Sequence, residues 1–236
     1  MQVDAGQLAA KLKGKFVVFD GPDGCGKSTQ RRLLGEVLAE AGCGVVHCHD
    51  PGGTTIGDRI RHLLLDYDLA EMDVRCETLL FMASRAQLVG EVIQPAVQAG
   101  RVVLCDRFVS STCAYQGAQG YDIQRVIDVA PYAIGDRWPD VTVLLDVDVE
   151  TGFDRTGRKA HHAGKNRRKE AGQQNLFNDA NTDAMEARPL EFHRRVREIF
   201  LKLGEHYPRP VVVVDGRPDD RSVHARVLEA LHRVDL

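Results

Sequence analysis

Long hydrophobic runs are missing from this chain. Its apolar stretches are strand-length pieces such as Val211-Val212-Val213-Val214, far short of the roughly 20 residues that a membrane-spanning helix needs. Net charge is nearly missing too. The 31 Lys and Arg against 34 Asp and Glu leave a formal charge of -3, which gives no global case for a nucleic acid or a membrane surface as partner. The six cysteines (Cys25, Cys43, Cys48, Cys76, Cys105 and Cys113) lack any C-x-x-C spacing. They read as reduced, mostly buried thiols, not as a disulfide framework. Cys43, His47, Cys48 and His49 lie close enough to raise zinc, but Gly44–Cys48 reads as a strand, whose alternate residues point to opposite faces. The segment from Met1 to Lys15 alternates apolar and polar residues without the apolar core of a signal peptide. A cytoplasmic enzyme is the expectation.

What is present is ordinary for a globular protein: 236 residues, 43% hydrophobic and 28% charged, enough for one well-cored α/β domain over residues 1–236. Five apolar strands are expected at Lys15–Asp20, Gly44–His49, Arg101–Asp106, Val141–Val147 and Pro210–Asp215. Helical patterns lie between and after them, at Lys27–Ala41, Ile56–Asp66, Asp73–Ala99, Ile123–Gly135, Glu150–Thr156, Pro189–His206 and Arg221–Val234. Alternation of this kind predicts a parallel sheet covered by helices on both faces. In such a sheet ligands gather at the carboxyl ends of the strands, where Gly21, Asp50 and Asp106 arrive.

The most specific feature is Gly21-Pro22-Asp23-Gly24-Cys25-Gly26-Lys27-Ser28-Thr29, between the first strand and the first of these helices. It fits the phosphate-loop pattern G-x-x-x-x-G-K-[ST]. Glycines let backbone N–H groups wrap a polyphosphate. Lys27 reaches the terminal phosphates, the Ser28 hydroxyl suits a magnesium ion, and the helix N-terminus favours the same anion. Cys25 sits where a helix N-terminus favours a thiolate, or is simply a small residue tolerated in the loop.

The rest of the site is spread along the chain. His49-Asp50-Pro51-Gly52-Gly53-Thr54 follows the second strand. Phe81 and Arg85 stand four residues apart on one helix, hence on one face. Asp106-Arg107-Phe108 ends the third strand, and Ser111-Thr112-Cys113-Ala114-Tyr115-Gln116-Gly117 follows. Asp106 either holds magnesium through water, as a Walker B carboxylate does, or holds Arg107 in place.

In this order the four landmarks resemble the thymidylate kinase family from about Lys15 to the C-terminus. The resemblance implies a five-stranded P-loop kinase fold, Mg²⁺ and ATP as cofactors, dTMP as the small-molecule substrate and a homodimer. It implies that Phe81 stacks on the pyrimidine, Arg85 donates to the base O4, Arg107 binds the acceptor phosphate and Tyr115 packs on the deoxyribose. Asp23 and Asp50 join them in the substrate site, with Ser111, Thr112 and Gln116 as hydrogen-bonding groups near the base. Ser28 and Asp106 are the metal candidates. The rivals are a kinase of another acceptor, such as dUMP, and an impaired nucleotide-binding regulator of the same fold.

Three departures stand out. His49-Asp50 replaces the family's Arg-Glu. Asp183-Ala184-Met185-Glu186 lacks the arginine of the family's D-R-[IM]-E, and Gly24 stands where some members carry a loop arginine. The polar, basic segment at about 157–186 is longer than such a lid usually is. A developing phosphoryl charge needs a cation beyond Lys27. Arg155, Arg158, Lys159 or another lid residue must therefore supply it, and Arg158 is assigned as catalytic with Lys27 and Arg107.

Overall fold

Residues 3–65, 72–157 and 188–236 are described by a computed structural model. Five strands, β1 (Phe16–Asp20), β2 (Val45–His49), β3 (Val102–Asp106), β4 (Val141–Asp146) and β5 (Val211–Asp215), form one sheet in the order β2-β3-β1-β4-β5. Every pairing is parallel. All five expected strands are present, each within a residue of its predicted ends. The expected lid at about 157–186 lies outside the described residues except for Gly157, and Arg158 and Lys159 lie outside them too.

The side-chain period of two sorts the sheet's residues onto two cores. Phe16, Val18, Val103, Cys105 and Leu144 face one side. There they meet α4 (Val74–Leu88), α6 (Val109–Ala118), α7 (Ile123–Ile134) and α9 (Leu190–Lys202). Val17, Phe19, Leu104, Val143 and Leu145 face the other side, against α1 (Ala5–Leu12), α2 (Lys27–Glu40) and α10 (Asp220–Arg233). The helices α3 (Thr55–Leu65), α5 (Gln94–Gln98) and α8 (Val149–Thr156) complete the set among the described residues. None of the described helices is long and apolar enough to cross a membrane.

Two helices were not expected. In α1, Asp4 caps the N-terminus by accepting from Gln7 N at 2.9 Å, and Leu8, Ala9 and Leu12 are buried on one face. That spacing was hidden in what reads as simple alternation. In α6 nearly every residue is buried, so no polar face marks a period of 3.6. The single helix expected over Asp73–Ala99 is interrupted by a wider π turn at Val89–Ile93 before α5, where Pro95 has no N–H to donate.

The register aligns the carboxyl ends of the strands. Phe19 pairs with Asp106 and Val143, and His49 with Asp106. Asp20, Asp50 and Asp106 therefore arrive at one edge, as a parallel sheet requires. Just past β4, Asp148 caps α8 by accepting from Thr151 N at 2.8 Å and from its hydroxyl at 2.8 Å. Those hydrogen bonds hold the Asp148 carboxyl below its ordinary range. Asp148→Ala is expected to lower stability by about 1 kcal/mol at neutral pH. A depressed folded-state pKa means the contribution is present above about pH 4 and lost as pH falls through the folded value. Urea melts of variant and parent should therefore converge in acid.

Candidate active site

The phosphate loop leaves β1 at Gly21 and enters α2 at Lys27. Gly26, with φ of 96°, precedes the first turn of α2, and no side chain caps it. The first N–H groups of α2 thus stay open to an anion. The loop also lies backbone-to-backbone against α8: a Cβ on Gly24 would overlap the Gly152 carbonyl, and one on Gly152 would overlap the Asp23 carbonyl. With φ of 73° at Gly24 as well, this position excludes an arginine, and the loop cation of some kinases has no room here.

Lys27 curls back over the loop, donating to the Gly21 and Pro22 carbonyls at 3.2 and 3.0 Å. Its Nζ is 3.6 Å from Cys25 Sγ. Burial pushes the Cys25 thiol up, against the opposing pull of Lys27 and Arg107. Cys25 is therefore a buried thiol in a tight turn, not a thiolate favoured by the helix end. Ser28 Oγ donates to Asp106 Oδ2 at 3.2 Å, which joins the two metal candidates and separates Asp106 from the task of holding Arg107.

That task falls to β1 and the loop. Arg107 Nη2 donates to Asp23 Oδ1 at 2.5 Å, and Nη1 lies 3.4 Å from Asp20 Oδ1. Asp20 is fully buried and also accepts from Ser110 Oγ at 2.6 Å, Ser111 Oγ at 2.7 Å and Gly21 N at 2.9 Å. The Arg107 guanidinium carbon lies 5.0 Å from the Tyr115 ring centroid, a cation–π distance. Burial pushes the Tyr115 hydroxyl well above its ordinary range, Arg107 opposing. It remains a donor, to Asp23 Oδ1 at 3.1 Å. Ser111 Oγ, which donates to Asp20, also accepts from Arg107 Nη1 at 3.1 Å.

Beyond Arg107 opens a cavity of ≈ 660 Å³, counting its solvent-open space, lined by Phe81, Arg85, Thr112, Tyr115 and Gln116 among others. Half-buried Phe81 lines it. Arg85 is 1% exposed. Its Nε donates to Asp50 Oδ2 at 2.7 Å, Nη2 to Thr112 Oγ1 at 3.0 Å and Nη1 to Met82 Sδ at 3.1 Å. Nη2 also lies 2.6 Å from Asp50 Oδ2, so of the five guanidinium N–H groups these contacts leave one, on Nη1. Burial pushes the Asp50 carboxyl up, with Arg85 pulling it down. The sequence-predicted substrate residues Asp23, Asp50, Phe81, Arg85, Arg107, Ser111, Thr112, Tyr115 and Gln116 all line this one cavity.

A second, polar cavity of ≈ 890 Å³ on the same basis is lined by Lys27, Ser28 and Asp106, and it shares Asp23, Asp50, Arg61 and Arg107 with the first. Asp20, Arg61 and His193 escaped the sequence reading. Asp20 carried a signal, as a carboxylate ending a strand directly before the loop. Arg61 and His193 carried none, since each stands in an ordinary amphipathic helix. Arg61 Nη1 donates to the Pro51 carbonyl at 2.9 Å, and buried His193 brings Nδ1 to 3.8 Å from Asp23 Oδ2. Arg155, a candidate lid cation, donates to the carbonyls of Gly216 and Arg217 at 2.9 Å each, and so pins the β5–α10 turn.

Comparison with known proteins fits this arrangement. The family model described as thymidylate kinase matches residues 19–227. A thymidylate kinase of Pelotomaculum thermopropionicum is 42% identical over 94% of this chain and 95% of its own length. One of Roseiflexus castenholzii is 43% identical over 86% of each. The crystal structure of thymidylate kinase from Ehrlichia chaffeensis superposes with a TM-score of 0.67 at 30% identity, covering 93% of this chain and 99% of that one. With a phosphate loop whose cavity shares Arg107 with a second cavity, and with these relatives along nearly its whole length, the chain belongs to the thymidylate kinase family.

Proposed function

We propose that this chain transfers the γ-phosphoryl group of Mg-ATP in line to the phosphate of dTMP, giving dTDP and ADP. The observation that carries the reading is the position of Arg107, on the boundary between the cavity for a base and the cavity of the phosphate loop. Its planar fork suits an acceptor phosphate, and Arg61, on the same boundary, supplies a second cation. The acceptor phosphate is already anionic, so no general base is needed. Positioning and charge neutralisation carry this chemistry.

On the donor side, Lys27 and the open N–H groups of α2 hold the β- and γ-phosphates. The 3.2 Å Ser28–Asp106 pair offers hard oxygen donors, and the described residues contain no cluster of three or more His, Cys, Asp or Glu that would cage a metal. This suits Mg²⁺, which keeps several waters and binds through one or two protein oxygens and the phosphates. Ser28 and Asp106 would hold it, and it would supply charge neutralisation to the donor phosphates. Arg155 is committed to the β5–α10 turn, so Arg158 or another cation of the segment at about 157–186 remains the proposed source of the extra charge.

On the acceptor side, Phe81 stacks on the pyrimidine. Arg85 donates to O4, Gln116 accepts from N3–H, and Tyr115 against the sugar disfavours a 2′-hydroxyl. The single sheet with a core on each face supports one kinase domain over 1–236. Exposed Ile56 and Leu63 on α3 and Leu79 on α4, two helices that pack together, support a homodimer. Six free cysteines suit a reducing cytoplasm.

The test is ADP release from Mg-ATP with dTMP, with dUMP and with no acceptor. Turnover that depends on dTMP and is faster than with dUMP is the expected result. Absence of turnover, with both nucleotides bound, would overturn the proposal.

A further inference from the structure

Gln116 is fully buried and lines the base cavity, yet its Oε1 has no hydrogen-bond partner among the described residues. A buried acceptor left open is costly, so it is kept either by accident or for a ligand. The other end of the same amide decides between these. Gln116 Nε2 donates to Glu77 Oε2 at 3.2 Å, and Gln119 Nε2 donates to the same oxygen at 2.6 Å. Glu77 stands on α4, one turn before Phe81, and is 5% exposed.

A carboxylate only accepts, so it admits only the –NH₂ end of each amide. Turning Gln116 over would set its carbonyl against a carboxylate oxygen in a buried site, where that repulsion is strong. Gln119 is fixed by the same logic from its far side, because Arg188 Nη2 reaches its Oε1 at 3.5 Å. Arg188 in turn lies over the Phe192 ring, with its guanidinium carbon 5.5 Å from the centroid. The chain of donors from Arg188 through Gln119 to Glu77 thus has one consistent orientation, and it leaves Oε1 as the end of the Gln116 amide without a partner among the described residues.

We propose that Glu77 is a positioning residue for base selection: it locks the Gln116 amide with Oε1 presented to the ligand, so the site takes a pyrimidine with a hydrogen on N3. This rests on the base contact of Gln116 in the proposed function. Thymine and uracil carry that hydrogen. In cytosine N3 is an acceptor, and two acceptors would face each other. The lock matters because an amide can turn over and serve either ring, so Gln116 alone would discriminate weakly. Arg85 reads position 4 independently, and nothing in the lock touches it.

The experiment compares kcat/KM for dTMP and 5-methyl-dCMP, which differ only at position 4 and in the N3 proton. Glu77→Leu frees the amide, and the ratio of the two constants is expected to fall about tenfold, mostly through KM. Glu77→Asp withdraws the carboxylate by one methylene and is expected to lower the ratio by a smaller factor; it carries the test if the leucine variant does not fold by thermal melt. A variant that slows both acceptors by one common factor, with the ratio unchanged, would mean Glu77 only supports the fold, and would overturn the proposal. Gln116→Leu separates the two levels. If it collapses the ratio while both Glu77 variants keep it, the base contact stands and the lock fails. If it leaves the ratio intact, the base contact itself is wrong and the lock falls with it.

Discussion

Arg107→Ala is expected to cost about 3–5 kcal/mol of folding stability and to slow phosphoryl transfer by 10³-fold or more, on the scale set by arginines at transferring phosphates. The stability loss comes from what the arginine leaves behind. Asp20 is fully buried, and its hydrogen-bond donors after the change would be the hydroxyls of Ser110 and Ser111 and the Gly21 N–H. These satisfy lone pairs without neutralising charge. Asp23 Oδ1 would lose its 2.5 Å partner as well. Backbone relief does not offset this, since Arg107 has φ of 67° and alanine keeps a Cβ in that left-handed region. Adding Asp20→Asn removes the uncompensated charge, so the double variant is expected to regain much of the stability and none of the activity. Urea melts beside turnover measurements separate the two effects. A double variant as unstable as Arg107→Ala would show that the guanidinium's packing on Tyr115, not its charge, supports the fold.

Lys27→Ala is expected to have the opposite balance, with kcat lower by about 10³-fold or more and stability nearly unchanged. In the proposed mechanism the group removed supplies charge at the phosphoryl being transferred, where a single preorganised donor is worth about 10²–10³-fold and a full charge more. Its structural contacts are two loop carbonyls, Gly21 O and Pro22 O, and Lys27 itself lines the polar cavity, from which water can enter. Water replaces such a donor at a net cost of about 1 kcal/mol. Single-turnover kinetics with a thermal melt on the same sample test this, and unchanged turnover would sink the mechanism.

Much of the molecule was legible in the chain. The phosphate loop could be read because its residues are contiguous and its glycines serve backbone geometry. The strands could be read because each is a short apolar run ended by a polar residue. Helix α6 was missed for the converse reason. It is buried almost all round, and a helix without a wet face writes no period. Arg85 and Phe81 were readable as a pair because four residues make one turn, but the same spacing says nothing about Asp50, 35 residues away, which holds Arg85.

The sequence by itself determined the type of chemistry: a phosphate loop, an aromatic and two arginines in the order of one kinase family. Only the tertiary structure decided which charges meet. It paired Asp106 with Ser28 across 78 residues and gave Arg107 to Asp20 and Asp23 across 87 and 84. It spent Arg155 on a turn, closed Gly24 to any side chain by laying α8 on the loop, and set Glu77 beside Gln116. Local pattern fixes what a residue can do within a turn or a strand. Partners tens of residues apart are fixed by strand register and helix packing, which are properties of the assembled sheet and not of any segment of the chain.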